Sequence, residues 1–579
     1  MNIFGHIKTI DNNEIIVENL GGKNISGLMN CHVIIEENNR KVVGEIIYFN
    51  DTTIKILLVG EIINNDFISG VIKKPSGNSI IRIINQGELE LILGKSTLTA
   101  DRLYLGKSAI YKNFNISVPL NGFFANHNAI VGNTGSGKSC TVARIFQNLF
   151  INSPYKPLNA HVVLFDAYGE YVNTFNNLLE HGMSFARYTT NVVNTGERQL
   201  KYPAYYLDVD DLAILLQVST SDQIPVLDKA LKLVKIFKST DENVKQYKNN
   251  IIANCILDIL TSGRSSTQMR DQIIAVLSNY HTETLSLDSI IHQVGYDRTL
   301  RQCLNIDNQG KINSISDVVN FIQQFDRVNL DVIPVDSNLI YNLDDIYYAL
   351  EFALISEGSI NSGLAYEKNN ILKSRLQSII NSEKNEIFKV DSFISKEDFI
   401  KTMFMGIQMV NINLSYLDDR FAKIITKLFS KLLFNYTTNL LPRGSFSVNI
   451  VLEEAHRYVQ NDTDNEIIGY NLFDRITKEG RKYGTLLTFI TQRPSELSET
   501  ALSQCANFIV LRVYHPRDLE IVKNMSTNVS NSTLDQIKSL KPGSAMAFGS
   551  AFKVPVLIEF DLANPLPEST SVEIDKIWF

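Results

Sequence analysis

The chain has 579 residues, 44% hydrophobic and 20% charged. That balance is ordinary for a soluble globular protein, and the length exceeds one core, so roughly two to four domains are expected. A net charge of −7 excludes a chain that is basic throughout, so any nucleic-acid contact must come from a local basic patch or a pore lining. The five cysteines, Cys31, Cys140, Cys255, Cys303 and Cys505, form no C-x-x-C pair, which argues against a zinc site or a disulfide framework and suits a reducing cytoplasm. No apolar run is long enough to span a bilayer and the N-terminus lacks a signal-peptide shape, so a cytoplasmic protein with no membrane partner is expected.

Residues 1–95 read as β. Short β-branched runs at Glu14–Glu18, His32–Glu36, Lys41–Tyr48 and Thr53–Val59 are separated by turn signals, among them Asn12-Asn13, Gly21-Gly22, Asn38-Asn39 and Asn50-Asp51. Strands at this spacing suggest a small barrel used for assembly or docking. Residues 100–126 read as a connector, and His127 as a structural contact beside the next strand.

The segment around which the rest is organised follows. Gly132-Asn133-Thr134-Gly135-Ser136-Gly137-Lys138-Ser139 fits G-x-x-x-x-G-K-[ST], with an apolar strand, Ala129–Val131, before it and a helical run, Thr141–Phe150, after it. Strand, glycine loop and helix are the context a P-loop requires. The glycines let successive N–H groups turn toward phosphate oxygens, and the helix behind adds the positive end of its dipole. Lys138 then reaches the β- and γ-phosphates of ATP, and the Ser139 hydroxyl holds Mg²⁺. Cys140 completes the nucleotide-binding stretch and reads as a small helix-packing residue.

A buried strand, His161–Phe165, ends in Asp166 and Glu170. Two readings stand side by side: acids beside phosphate and Mg²⁺ at the carboxyl end of a strand, or a turn with a capping acid. Tyr205–Asp208 reads as a short strand, with Asp208 capping the helix after it. From about residue 211 to 400 the pattern is helical, with one-face spacing at Leu227, Leu231 and Val234 and again at Leu372, Leu376, Ile379 and Ile380. This stretch carries no recognisable chemistry and reads as a helical insertion.

The sheet resumes at Ile407–Leu414, and an amphipathic helix spans Arg420–Phe434. Val448–Leu452 is an apolar strand ending in Glu453-Glu454, the form of a Walker B: by position Glu453 is on the metal side and Glu454 is the base that activates water, with a sharing of the two roles as the alternative because the first acid is usually Asp. The helix Asp474–Tyr483 carries Lys478, Arg481 and Lys482. The next strand, Thr485–Ile490, ends in Thr491-Gln492-Arg493-Pro494, a polar tip able to sense the γ-phosphate. A strand bearing Arg512, a helix Pro516–Met525, and a turn, Lys541–Gly549, into the strand Lys553–Phe560 close the domain. The only Trp, Trp578, precedes Phe579 in a tail that reads equally as a docking segment and as a frayed terminus. An N-K-x-D motif and an L-S-G-G-Q segment are both missing, which argues against a GTPase and an ABC-type ATPase.

Taken together, Asn133–Ser139, Phe165–Tyr171, Glu453-Glu454-Ala455-His456, Glu479–Gly484 and Thr491–Ser495 resemble the HerA DNA translocases of the HerA/FtsK group. The resemblance covers the ATPase core, about 100–210 and 400–560. It implies an α/β, RecA-like P-loop core in two parts, 96–210 and 401–579, the latter with a C-terminal β hairpin and tail. A small N-terminal barrel (1–95) and a helical insertion (211–400) would flank and interrupt that core. It further implies a homo-hexameric ring with ATP between subunits and DNA through the pore. Arg481 would be the finger on the neighbour's γ-phosphate and Gln492 the γ-phosphate sensor. The partner would be a nuclease, or a sirtuin-like NAD-consuming effector in anti-phage defence. A ring-shaped platform that regulates such an effector with little translocation is the alternative.

Overall fold

The computed structural model describes residues 4–19, 26–96, 99, 101–151, 156–293, 295–326, 338–360, 363–461, 464–525, 531–569 and 574–578. The Gly21-Gly22 turn and Phe579 lie outside the described residues. The chain divides into two compact units. One comprises Met1–Gln199, Glu397–Asp462 and Tyr470–Phe579; the other comprises Leu200–Lys396 and Thr463–Gly469.

The first unit opens with seven short strands: β1 Ile7–Asp11, β2 Glu14–Glu18, β3 His32–Glu37, β4 Arg40–Phe49, β5 Thr53–Ile63, β6 Asp66–Ser69 and β7 Ile80–Ile83. They pair antiparallel in the order β1-β2-β5-β4-β3-β7, with β6 on β5. Period-two alternation turns Ile15, Val17, Val33, Ile35, Val42, Ile54 and Ile56 into one core. The opposite face supplies Ile34, Val43, Val59 and Phe67 to the core of the following domain. Burial on both faces explains why these runs are β-branched nearly throughout. Among the described residues β1 and β7 are not paired with each other, so what is observed is an antiparallel sheet and not a barrel closed by hydrogen bonds.

The connector expected at 100–126 is instead a hairpin, β8 Arg102–Ser108 and β9 Asn115–Pro119, followed by the short helix Leu120–Phe124. Its partner toward the sheet interior is contributed from near residue 558, so no local signal marks it as part of the larger sheet. Next come β10 Asn128–Val131, β11 Val162–Asp166, β12 Phe185–Thr189 and β13 Glu197–Gln199. In the second unit the chain is mainly helical and includes one hairpin, β14 Ile290–Gln293 and β15 Tyr296–Thr299, which the helical reading did not contain. Leu227, Leu231, Val234, Leu372 and Leu376 are buried there, as their spacing requires, whereas Ile379 and Ile380, expected on the same face as Leu372, are only half-buried. Tyr205–Asp208 is not a strand. Ala204–Tyr206 forms a 3-10 turn behind Pro203, and both tyrosine hydroxyls donate to the Ile394 carbonyl. Asp208 caps the helix Val209–Leu215 through a reciprocal bond with Asp211.

The first unit resumes with β16 Met409–Asn413, β17 Val448–Leu452, β18 Thr485–Thr491, β19 Asn507–Val510, β20 Ser544–Gly549 and β21 Val556–Glu559. A twelve-stranded sheet runs β13-β12-β16-β11-β17-β18-β10-β19-β20-β21-β8-β9. From β13 to β19 every pair is parallel, and from β19 onward every pair is antiparallel. Parallel strands buried on both faces need near-continuous apolar sequence, which is what β10, β11 and β18 show. Among the described residues no helix is long and apolar enough to cross a membrane.

Candidate nucleotide site

Because β10, β11, β17, β18 and β19 are parallel neighbours, their carboxyl ends open on one edge of the sheet. That edge gathers the P-loop after Val131, the acids after Leu452 and the Thr491-Gln492-Arg493 tip. One strand, β18, separates the P-loop strand from the Walker B strand.

The P-loop is tied at its start to the two strands that flank β10. The Gly132 N–H donates to the Thr491 carbonyl (3.2 Å) and the Asn133 N–H to the Arg512 carbonyl (2.9 Å). Gly135 and Gly137 take φ of +72° and +95°, which side chains with a Cβ rarely adopt. A Cβ on Gly132 would meet the Ser136 hydroxyl at 2.6 Å, so the loop is closed to any larger residue there. The helix Lys138–Phe150 begins at the last glycine, and its first internal bond is Thr141 N–H to the Gly137 carbonyl. The N–H groups of Lys138, Ser139 and Cys140 therefore have no partner within the helix and are free for an anion.

Lys138 lies among acids. Burial pushes its ammonium below the ordinary value, and Glu454, Glu453 and Glu170 pull it back up. Burial raises the Glu454 carboxyl, opposed by Lys138. Glu454 is 7% exposed, sits at φ +48° and has its Oε2 without a hydrogen bond, 3.3 Å from His456 Nδ1. A left-handed glutamate costs about 1–3 kcal/mol, a strain found at functional turns. The same His456 Nδ1 is 3.1 Å from the Thr491 hydroxyl, which links the acid to the end of β18. The Gln492 side-chain oxygen accepts from the Thr134 hydroxyl at 2.7 Å, so Gln492 touches the P-loop itself.

Glu453 is deeper. Its Oε2 accepts the Ala167 N–H at 3.0 Å, and burial followed by Asp166 and Glu170 drives its carboxyl well above the ordinary range. Asp166 is fully buried and accepts from the N–H groups of Gly169, Glu170 and Tyr171 and from Asn411 Nδ2. It is thus the capping acid of its turn. Glu170 lies beside Ser139 and Lys138, with its Oε2 buried and unbonded. Cys140 packs as expected, its sulfur accepting the Ala563 N–H at 3.3 Å. His127 is a structural contact: Nδ1 accepts the Leu487 N–H at 3.0 Å, and burial holds its ring down to about 4.

Arg481 is the predicted residue that the structure does not bring to this edge. It is exposed, precedes β18 and acts electrostatically on His127 at the amino end of β10. The seven residues of β18, at about 3.3 Å each, put it roughly 20 Å from Gln492. Two residues at the site went unread in the sequence. Arg457 stands near Glu454 and pairs with Asp419, leaving its buried Nε and Nη1 unbonded. Gly543 donates its N–H to the Ser136 carbonyl at 3.0 Å, bringing the Lys541–Gly543 turn against the P-loop. Arg457 sits three residues past Glu454 and was within reach of the motif; Gly543 is some 400 residues from the P-loop and had no signal. Beside Asn133, Thr134 and Gln492 lies an open cleft of about 500 Å³, also lined by Arg493, Tyr514 and His515.

This loop, this strand order and these acids define an α/β P-loop ATPase. The family described as "Helicase HerA, central domain" matches residues 103–433, more than half of the sequence. The DNA double-strand break repair helicase HerA of Pyrococcus furiosus is 23% identical over 508 residues, covering 87% of this chain and 76% of that protein. The probable DNA double-strand break repair helicase HerA of Methanocaldococcus jannaschii is 20% identical over 567 residues, covering 97% and 93%. Among solved structures, VirB4 of Thermoanaerobacter pseudethanolicus aligns over 81% of this chain and 99% of its own at 13% identity and a TM-score of 0.44. The chain belongs to the HerA helicase family and is an ATP-hydrolysing enzyme.

Proposed function

We propose that the chain is one subunit of a homo-hexameric ring that uses ATP hydrolysis to drive duplex DNA through a central pore, in concert with a nuclease or a sirtuin-like effector, in DNA end processing or anti-phage defence. The observation that carries this reading is the position of Arg481: exposed, and at the opposite end of β18 from its own P-loop. An arginine placed there can complete a site only on another subunit, and the open cleft beside Asn133, Thr134 and Gln492 is where it would enter.

In the proposed cycle Lys138 and the amides of Gly135 and Gly137–Cys140 hold the phosphates. Glu454 orients and deprotonates the attacking water. Gln492, released from Thr134, reports the γ-phosphate. Arg481 of the next subunit neutralises charge in the transition state. Mg²⁺ would be held by Ser139 and Glu453, with Glu170 beside them, and would neutralise phosphate charge there. A hydroxyl and carboxylates alone suit a cation that keeps most of its own water and takes the rest from phosphate. The N-terminal sheet would dock the partner, and residues 211–400 would act as an insertion for packing or partner contact.

The test is the ATPase rate with and without duplex DNA, read beside the mass in solution. A six-subunit ring stimulated severalfold by DNA supports the motor. A ring indifferent to DNA overturns it in favour of a platform that regulates its effector.

A further inference from the structure

The cluster around Lys138 accounts for the γ end of ATP. The α end must point the other way, toward the Cys140 N–H, because the loop binds the phosphates in order from Lys138 outward. Two segments wall that side. The Lys541–Gly543 turn is bonded to Ser136, and a Cβ on Gly137 would come within 2.9 Å of Gly543 N. The segment Phe560–Ala563 is bonded to that turn (Phe560 N–H to the Gly543 carbonyl, 2.9 Å) and to the first turn of the P-loop helix through Cys140 Sγ. The chain then runs down the same helix, with Asn564 N–H donating to Gln147 at 2.9 Å.

Two side chains on this wall keep atoms that the fold leaves uncovered. Leu562 is 75% exposed, a large apolar residue on an otherwise anchored strip next to a phosphate site. Asp561 is held from behind: Oδ2 accepts the Tyr104 hydroxyl at 3.0 Å and lies 3.8 Å from Arg144, one helical turn beyond Cys140. Its Oδ1 accepts no hydrogen bond among the described residues, and the side chain is 34% exposed. An apolar platform and a fixed carboxylate, on the strip whose Ala563 N–H meets Cys140, are what a nucleoside needs: a face to lie on and an acceptor for its donors.

We infer that Leu562 and Asp561 form the nucleoside subsite of the ATP site, Leu562 packing on the base and Asp561 accepting a hydrogen bond from a nucleoside donor, either a ribose hydroxyl or the exocyclic amine. The inference rests on the P-loop reading of the phosphate site.

Equilibrium binding and steady-state kinetics of the full chain with ATP, dATP, ITP and inorganic tripolyphosphate test it. Leu562→Ala is expected to raise Kd and KM for ATP about tenfold while kcat and tripolyphosphate affinity stay unchanged, and Leu562→Met is expected to restore both. Wild type is expected to bind either dATP or ITP about tenfold more weakly than ATP, and Asp561→Ala to erase that difference. Loss against dATP assigns Asp561 to the ribose, and loss against ITP to the base. Equal affinity of wild type for ATP, dATP and ITP overturns the role of Asp561. An ATP Kd unmoved by Leu562→Ala, or a kcat loss at constant KM, overturns the role of Leu562. Failure of the underlying reading shows separately, as tripolyphosphate binding that survives Lys138→Ala.

Discussion

Lys138, at the start of the P-loop helix, and Glu454, just past β17, lie close together, one positive and one negative, both partly stripped of water. Charge removed at either position should therefore act on different steps. Lys138→Ala is expected to lose hydrolysis by a factor on the order of 10³, because the β- and γ-phosphates lose their counter-charge. Glu454→Gln preserves shape and removes the base, so it is expected to bind ATP with near-normal affinity and turn it over about 10²–10⁴-fold more slowly. Rapid-quench measurement of bound nucleotide distinguishes them: ATP should accumulate on Glu454→Gln and be missing from Lys138→Ala. Normal turnover by Glu454→Gln would remove it from the role of base. At this scale the P-loop was legible because its chemistry is consecutive. The Asp166/Glu170 pair could not be divided from sequence, since only the fold shows Asp166 spent on three backbone N–H groups while Glu170 retains an unbonded oxygen.

Strands β3 and β4 join the N-terminal sheet to the ATPase core through a polar pair. His32 and Glu45 are cross-strand partners, and both the His32 N–H (2.7 Å) and Nδ1 (2.9 Å) meet the hydroxyl of Tyr111, from the turn between β8 and β9. Burial lowers His32 to about 4 and raises Glu45 to about 7. The two act oppositely on stability. Between about 4 and 6.5 the unfolded chain protonates at His32 and the folded chain does not, so this group makes stability rise with pH. Between about 4.5 and 7 the folded chain retains the Glu45 proton and the unfolded chain releases it, so this group makes stability fall with pH. In wild type the slopes offset each other. The thermal midpoint of Glu45→Gln is expected to rise from pH 4 to 6.5, and that of His32→Asn to fall from pH 4.5 to 7; parallel profiles for both variants would refute the assignment. A second prediction at this scale concerns β20. Gly549 has φ +127°, and a Cβ would stand 2.1 Å from the Ala506 carbonyl, so Gly549→Ala should cost at least about 2 kcal/mol. Gly263, at φ +69° with open space around its Cβ position, should lose only about 1 kcal/mol on the same change. Urea titration measures both.

For the whole molecule, the question is whether catalysis needs a second chain. Arg481→Ala is expected to bind ATP with unchanged affinity and hydrolyse it about 10³-fold more slowly. Mixing it with Lys138→Ala, which hydrolyses nothing itself yet retains Arg481, should restore part of the rate, because each defective subunit supplies what the other lacks. Wild-type hydrolysis by Arg481→Ala alone would exclude it from the site.

By itself the sequence determined the nucleotide chemistry, the family and the alternation of β, α/β and helical segments, because each depends on residues close together in the chain: a loop of eight, an acid pair at a strand end, a repeat of two or of three to four. Only the tertiary structure decided which strands are neighbours. The twelve-strand order joins the 102–119 hairpin to the sheet by pairing it with a strand near residue 558, and brings Gly543 and Cys140 into contact with segments some 400 residues distant. Backbone pairing is blind to sequence separation, and the side chains that permit it are the same apolar ones found in any buried strand. The P-loop is therefore written locally, and the groups that meet it, Gln492 and Gly543 among them, are brought there by the fold.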